Sequence, residues 1–217
     1  QATEGPERFT FRRVSRHRIE QCSIMSVQQA QQWLENHTHS IPALAVNQSA
    51  IVRLLDDNMP QSRLIQHLED DPALILALLC KVNIQRDPDS GKAIVESPQA
   101  AMTLLGSQVS ATLLKNFRVA EDILSEPHQL FLYQQIINRS LHNRHQATGW
   151  ARRMGFQQAE STAISAVLAY IGELLCCAHD FKTYYACIQD SDPGQSAEER
   201  FGFSFDQLTE AVCQSRN

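Results

Sequence analysis

The stretch DPALILALLCKVN, residues 71–83, decides the fold class of this chain. Asp71 is a favoured helix N-cap, and Pro72 stands at the first helical position, where its missing N–H leaves no hydrogen bond unmade. The residues that follow are apolar on nearly every side of a helix and show no strand-like alternation. The pattern predicts a helix over 73–83 that is buried on most sides and belongs to a core.

Almost every other signal along the chain is helical too. Several residues mark the bounds of predicted helices. Ser26 is a candidate N-cap, Pro42 marks a helix start, and Gly106 is a C-terminal stop. We predict helices over 27–35, 41–55, 60–68, 97–106, 107–124, 127–155, 158–178, 180–189 and 206–213, with a loop over 85–95. No period-2 strand pattern and no internal repeat is visible. The predicted fold class is an all-α, compact multi-helix bundle of about ten helices.

The composition excludes several classes of protein. With 217 residues, 43% of them hydrophobic and 20% charged, the chain can bury a core without disulfides. A net charge of −5 disfavours a global grip on nucleic acid, so we expect no nucleic-acid partner. The six cysteines form no CxxC pair, and four of them lie in apolar helical stretches. They are predicted to be small buried residues in a reducing, cytoplasmic compartment rather than disulfides or zinc ligands.

The N-terminal residues differ from the rest, because five arginines cluster there with few acids opposing them. We predict a basic N-terminal extension or linker over 1–25 and one helical domain over 26–217. A nucleic-acid or membrane-surface arm is the weaker alternative, since the net charge of this extension is small. No membrane span is expected, because the longest apolar run, residues 163–178, is short and contains Glu173.

An ordered series of motifs runs through the chain. It comprises IPAL at 41–44, DPAL at 71–74, Asn83, LLG at 104–106 and AVLAYIGEL at 166–174. This series resembles the HD-related output domain (HDOD) family of all-helical bacterial signalling modules, and the resemblance covers residues 40–215. It implies a regulatory or scaffolding module that binds a protein partner or an adjacent signalling domain, without catalysis and without a cofactor.

The same resemblance extends to HD-type metal phosphohydrolases, in which one core helix supplies a His and the next supplies adjacent His and Asp residues. In this chain those positions fall on Arg139, Ala169 and Tyr170. Arginine repels a cation, alanine has no donor atom and neutral tyrosine is a poor ligand. The resemblance therefore implies a degenerate site with no metal and no catalytic residue. The alternative is a metal-dependent phosphohydrolase acting on a nucleotide or cyclic dinucleotide, which would need ligands that these positions lack.

Arg144 is the unusual residue of the long helix over 127–155. It projects into the apolar stripe of that helix, where a charge needs a partner. We predict an ion pair with Glu173, or else with Glu160, across the helix interface. The alternative is that Arg144, together with Arg139, binds an anion at the old active site, which would make the domain a small-anion sensor.

Two histidine motifs imitate metal sites. In His179-Asp180, the histidine is predicted to favour the end of one helix and the aspartate to start the next. His142 and His145 share a face, but that face points away from the apolar stripe, so we predict solvated surface side chains.

Members of the HDOD family usually continue into further helices beyond the last residues of this chain. We therefore expect a truncated C-terminal end. In such an end Phe205, Leu208 and Val212 would present an apolar face that mimics an interaction site.

Overall fold

The computed structural model describes residues 16–37, 41–57, 59–84, 94–157 and 159–214. Its helices are α1 (Arg16–Asn36), α2 (Ala45–Asp56), α3 (Gln61–Leu68), α4 (Pro72–Ile84), α5 (Pro98–Leu105), α6 (Ser107–Lys115), α7 (Ala120–Ile123), α8 (Pro127–Arg153), α9 (Ala159–Leu168), α10 (Ile171–His179), α11 (Phe181–Gln189), α12 (Pro193–Phe201) and α13 (Phe205–Gln214). The predicted all-α, multi-helix bundle is confirmed. Most of the predicted loop over 85–95, and residues 1–15 of the predicted extension, lie outside the described residues.

Helix α4 is the buried helix that residues 71–83 predict. Nine of its 13 residues are buried, and Leu74, Ile75 and Leu78 have no exposed surface. Each such side chain stabilises the fold by roughly 1.5–3 kcal/mol relative to an exposed one. The helix packs against α3, α5, α6 and α9, so it joins the first half of the bundle, α2–α7, to the second half, α8–α13.

Asp71 caps α4, as predicted, and it also holds the start of α2. Its Oδ1 accepts a hydrogen bond from the backbone N–H of Ala73 (3.0 Å). Its Oδ2 accepts from the backbone N–H of Leu44 (2.9 Å) and from Nδ2 of Asn47 (3.1 Å). The carboxylate is fully buried, so these neutral donors replace its water.

The segment 41–44 is extended rather than helical. The N–H of Ala43 donates to the Arg118 carbonyl (3.0 Å), and the N–H of Ala120 donates to the Ala43 carbonyl (2.7 Å). Together they form an isolated parallel β-bridge between Ala43 and Val119. The predicted helix over 41–55 is therefore wrong at its start, because long-range hydrogen bonds hold its first residues extended.

Two further predicted boundaries are wrong. Ser26 does not cap a helix, because α1 begins at Arg16; instead its hydroxyl accepts a hydrogen bond from Nε2 of Gln207 (2.8 Å). The predicted helix over 107–124 is two helices, α6 and α7, and residues 116–119 between them carry the chain to the β-bridge. In both places tertiary contacts override the local sequence signal.

The predicted helix over 158–178 is also two helices, α9 and α10, and α13 occupies the break. The Thr209 hydroxyl accepts a hydrogen bond from the Gly172 N–H (2.9 Å) and lies 3.2 Å from the Ala169 carbonyl oxygen. These are backbone groups that a helix break leaves without partners. A Cβ on Gly172 would lie 2.0 Å from the Phe205 carbonyl oxygen, so only glycine allows this approach.

The C-terminal helices cover their own apolar face. Leu208 is fully buried and Val212 is 2% exposed, because α13 packs against both α10 and α1. The expectation of an exposed apolar face at Phe205, Leu208 and Val212 is therefore wrong. Helix α12 was not predicted, although Asp192 caps it by accepting from the Gln195 N–H (3.1 Å).

The segment Ala159–His179, which contains α9 and α10, is long and apolar enough to cross a membrane by length and composition, with a mean hydropathy of 1.6. This differs from the prediction that no such segment exists. Half of its most apolar window is buried inside the described part of the fold. Its composition therefore fits a central core element, which is apolar on most sides.

Candidate functional site

The positions that the resemblance assigns to metal ligands lie where α8 meets the turn between α9 and α10. Nη2 of Arg139 on α8 lies 2.6 Å from Oε1 of Glu173 on α10. The same oxygen accepts a hydrogen bond from the hydroxyl of Tyr184 on α11 (2.9 Å). The guanidinium carbon of Arg139 also lies 5.6 Å from the centre of the Tyr170 ring. We call Arg139, Tyr170, Glu173 and Tyr184 the Arg139 cluster.

Burial gives the Arg139 cluster its chemistry. Glu173 is only 9% exposed, and an isolated carboxylate there would be costly. Burial alone lowers the pKa of Arg139, but the facing Glu173 carboxylate outweighs this effect and the net pKa is raised. Burial, together with the negative charge of Glu173, raises the pKa of Tyr184 well above its usual value. The arginine therefore stays charged and the tyrosine stays a neutral donor.

The residues of this site do not fit a divalent metal. The Arg139 guanidinium already supplies a positive charge and would repel a second cation. Ala169 has no donor atom, and the Tyr170 ring lies beside the Arg139 guanidinium, with its centre 5.6 Å from the guanidinium carbon. Across the described residues, no three His, Cys, Asp or Glu side chains come together in a metal-binding arrangement.

Arg144 is held by different acids from those predicted. Its Nη2 pairs with Oε2 of Glu69, and its Nη1 lies 3.6 Å from Oδ1 of Asp70. The predicted ion pair with Glu173 or Glu160 is therefore wrong. The physical reason is that the turn between α3 and α4, which carries both acids, lies against Arg144.

The environment of Arg144 otherwise agrees with the sequence argument. Its side chain is 17% exposed, and burial lowers its pKa from the usual value. Since Arg139 and Arg144 both face carboxylates, the predicted anion site has no uncompensated cation at these two positions. The sequence argument missed Glu69 and Tyr184. The run of three acids at residues 69–71 was the available signal for the first, and nothing local marks the second.

The histidine motifs have the structural roles predicted for them. His142 and His145 are exposed on α8, and the His142 ring lies 2.8 Å from the Gln146 amide. His179 ends α10, and Asp180 caps α11 by accepting from the Thr183 N–H (3.2 Å).

No cysteine whose side chain the structure describes forms a disulfide. Cys80, Cys176, Cys177 and Cys187 are buried, as predicted, whereas Cys213 is exposed, so the prediction that all six cysteines are buried is wrong for Cys213. Burial raises the pKa of Cys177 to about 12 and raises that of Cys176. Such thiols are poor nucleophiles at neutral pH.

Comparison with known proteins agrees with this architecture. The model of the HDOD domain matches residues 41–215. Two crystal structures of the MmoQ response regulator from Methylococcus capsulatus str. Bath, one of them of a fragment, each superpose with a TM-score of 0.67. They are 21% and 18% identical, and the alignments cover 82% of this chain and 71% and 69% of those chains.

An HDOD domain protein of unknown function from Geobacter sulfurreducens aligns over 88% of this chain and 65% of that chain. It has 16% identity and a TM-score of 0.43. A sequence comparison with curated proteins gave no match. At these identities the two MmoQ structures establish the fold alone.

Proposed function

Because the chain belongs to the HDOD family, we propose that it is a non-catalytic regulatory module that acts through protein–protein contacts in bacterial signal transduction. Its partner is a signalling protein or an adjacent signalling domain, and its compartment is the cytoplasm. One observation supports this proposal most strongly. Arg139 pairs with buried Glu173 at the position that the resemblance to HD phosphohydrolases assigns to a metal.

The chemistry of a guanidinium explains why this pair argues against hydrolysis. A metal ion binds water, lowers the pKa of that water and so generates a hydroxide nucleophile. A guanidinium neutralises an acid just as well, but it has no open coordination position for a water molecule. The Arg139 cluster thus keeps the electrostatic balance of a metal site without its reactivity.

The context of the structural neighbours points in the same direction. The protein from Methylococcus capsulatus is called a response regulator, so this fold occurs in a signalling protein. A domain with the same fold and an occupied former site is suited to presenting helical surfaces to a partner.

Affinity capture of the full chain from its own cells tests the proposal. The tagged protein is produced at its native level and cross-linked, and its partners are identified by mass spectrometry. The Arg139→Met variant is the matched control, because a scaffold needs no chemistry at this position. We expect one signalling protein to be recovered with both chains. Recovery of metabolic enzymes alone would contradict the proposal.

A hydrolysis assay tests the enzymatic alternative. The purified full chain is incubated with Mn²⁺ or Fe²⁺ and with bis(p-nitrophenyl) phosphate, a nucleoside monophosphate or a cyclic dinucleotide. We expect the same rate as with metal alone. A metal-dependent rate above that background, lost in Glu173→Gln, would establish the phosphohydrolase and refute the regulatory proposal.

A further inference from the structure

The turn between α8 and α9 carries an exposed apolar surface, which we call the α8–α9 tip (residues 149–157). Trp150, Met154 and Phe156 are 69%, 72% and 58% exposed. Single exposed apolar side chains are ordinary, but a cluster of large ones marks an interaction site in many proteins. Tryptophan, methionine and phenylalanine are also enriched in the cores of protein interfaces.

Hydrogen bonds fix the backbone of the tip. Phe156 N–H donates to the Ala151 carbonyl (2.9 Å), and Gly155 N–H donates to the Arg152 carbonyl (3.2 Å). These two bonds, with Gly155 at a φ of 71°, form a Schellman motif that closes the helix. The backbone groups are thus satisfied, so a partner does not have to order the backbone of the tip when it binds.

The charges of the tip identify the chemistry of that partner. Arg152 and Arg153 are exposed, and neither forms an ion pair within the described ranges, whereas Arg139, Arg144 and Arg200 do. The nearest acid in sequence is Glu160, so the tip keeps a net positive charge on a chain whose total charge is −5. A positive apolar surface is complementary to a negative apolar one.

We propose that the α8–α9 tip docks an acidic protein segment that presents two or more large apolar side chains. The apolar side chains pack against Trp150, Met154 and Phe156, and the acids of the segment pair with Arg152 and Arg153. This inference rests on the proposed function and names its contact surface and the kind of partner.

Other occupants fit the charges less well. A second copy docked through the same surface would bring two Arg152–Arg153 pairs together, because a two-fold interface places like residues near each other. An anionic membrane would attract the two arginines by about 1 kcal/mol each, but its charged surface extends beyond the tip and also repels the rest of a chain whose net charge is −5, whereas a short acidic segment faces only the tip. A protein segment avoids both penalties.

Selection from a random peptide library displayed on phage tests this inference directly. The full chain is the bait, and Arg152→Glu/Arg153→Glu is a second, charge-reversed bait. We expect the wild-type chain to enrich acidic peptides with at least two large apolar residues, and the charge-reversed chain to enrich basic ones. No enrichment, or the same sequences from both baits, would overturn the proposal.

Substitutions then locate the contact. Trp150→Ser is expected to lower the affinity of the chain for the selected peptide by about thirtyfold, since a central tryptophan contributes about 2 kcal/mol or more to binding. Leu104→Ser is the matched control, because Leu104 is 61% exposed on α5 and lies outside the tip. Unfolding curves of both variants show that each one folds. Equal losses in the two variants would refute the assignment.

Further measurements separate the failure of this inference from the failure of the proposed function. Trp150-dependent cosedimentation with phosphatidylglycerol vesicles, or a Trp150-dependent dimer in analytical ultracentrifugation, would overturn the inference in favour of a membrane or a second copy. Metal-dependent hydrolysis would instead refute the proposed function while leaving the peptide result to stand.

Discussion

Two carboxylates hold helices together in different halves of the molecule, and they do so with different partners. Asp71, at the start of α4, is fully buried and accepts hydrogen bonds from neutral groups of Leu44, Asn47 and Ala73. Glu173, on α10, is 9% exposed and accepts from the Arg139 guanidinium and the Tyr184 hydroxyl. The hydrogen-bond partners of Asp71 are neutral, whereas Glu173 is paired with the cationic side chain of Arg139.

The difference shows how the partner decides what a buried carboxylate does. Burial raises the pKa of Asp71 to about 6, and its hydrogen bonds only partly offset this effect. Glu173 has the compensating charge of Arg139 beside it, so the pair is neutral as a unit. Asp71 should therefore make the stability of the fold depend on pH, whereas the cost of burying Glu173 depends on its two donors, Arg139 and Tyr184.

The largest effect is expected from removing Asp71. Asp71→Ala leaves buried N–H groups of Leu44 and Ala73 and the Asn47 amide without acceptors, and each unmade bond costs roughly 1–3 kcal/mol. We expect the free energy of unfolding in urea to fall by about 4 kcal/mol at neutral pH. Asp57→Ala, at an exposed position, is the control and should change stability by less than about 0.5 kcal/mol. Equal effects of the two variants would show that the hydrogen bonds of Asp71 do not stabilise the fold.

The next largest effect is the dependence of folding stability on pH that Asp71 causes. The unfolded side chain loses its proton near pH 4, whereas the folded one keeps it up to about pH 6. Between these values the folded state binds more protons, so its stability falls as pH rises, by up to about 3 kcal/mol.

The difference between wild type and Asp71→Asn isolates this contribution, because the amide does not titrate. Urea unfolding of both chains at several pH values from 4 to 7 measures this contribution to the free energy of unfolding. We expect the wild-type curve to fall relative to the variant as pH increases. A relative rise, or parallel curves, would refute the raised pKa.

A smaller loss is expected at the ion pair that links the halves. Arg144→Met leaves the Glu69 carboxylate, whose side chain is 15% exposed, without its cation. Breaking such a partly buried pair should cost about 2 kcal/mol in the free energy of unfolding, less than for a fully buried pair. Adding Glu69→Gln should restore part of the loss, because it removes the unpaired charge. Simple additivity of the two variants would indicate that the pair contributes nothing.

The smallest effect is expected at Arg139. Its side chain is 53% exposed, so solvent and salt screen the pair, and Arg139→Met should cost about 0.5–1 kcal/mol. In a Tyr184→Phe background the same change should cost more, since Glu173 then loses both of its donors. Thermal unfolding of the four chains measures this coupling. A cost that is the same in both backgrounds would mean that the two donors act independently.

Capping signals and apolar periodicity predict those elements whose ends are set locally. Helix α4 follows Asp71-Pro72, and α5 follows Ser97, whose hydroxyl accepts from the Ala100 N–H (3.1 Å). Helix α8 begins at Pro127, as its sequence indicates. In each case a side chain within three residues supplies the starting signal.

Elements whose ends are set by distant contacts escape this reasoning. The break between α9 and α10 lies inside a continuous apolar run, and it depends on the Thr209 hydroxyl from α13. The extended segment 41–44 depends on hydrogen bonds to Arg118 and Ala120. Neither contact leaves a mark in the local sequence.

The site shows the same division. The apolar stripe of α8 indicates that Arg144 faces the interior and needs a partner, and its low exposure confirms this. The stripe does not say which element lies opposite, and Glu69 is 75 residues away in sequence. The family resemblance points to Arg139 and Tyr170, but their contacts with Glu173 and Tyr184 require the packing of α8, α10 and α11.

Metal content tests the central claim most directly, namely that a guanidinium stands where an HD enzyme holds a metal. The full chain is purified, incubated with excess Fe²⁺, Mn²⁺ or Zn²⁺, freed of unbound metal and examined by elemental analysis, with Glu173→Gln treated in parallel. We expect far less than one metal per chain in both proteins. One metal per chain in the wild type, lost in Glu173→Gln, would contradict the claim.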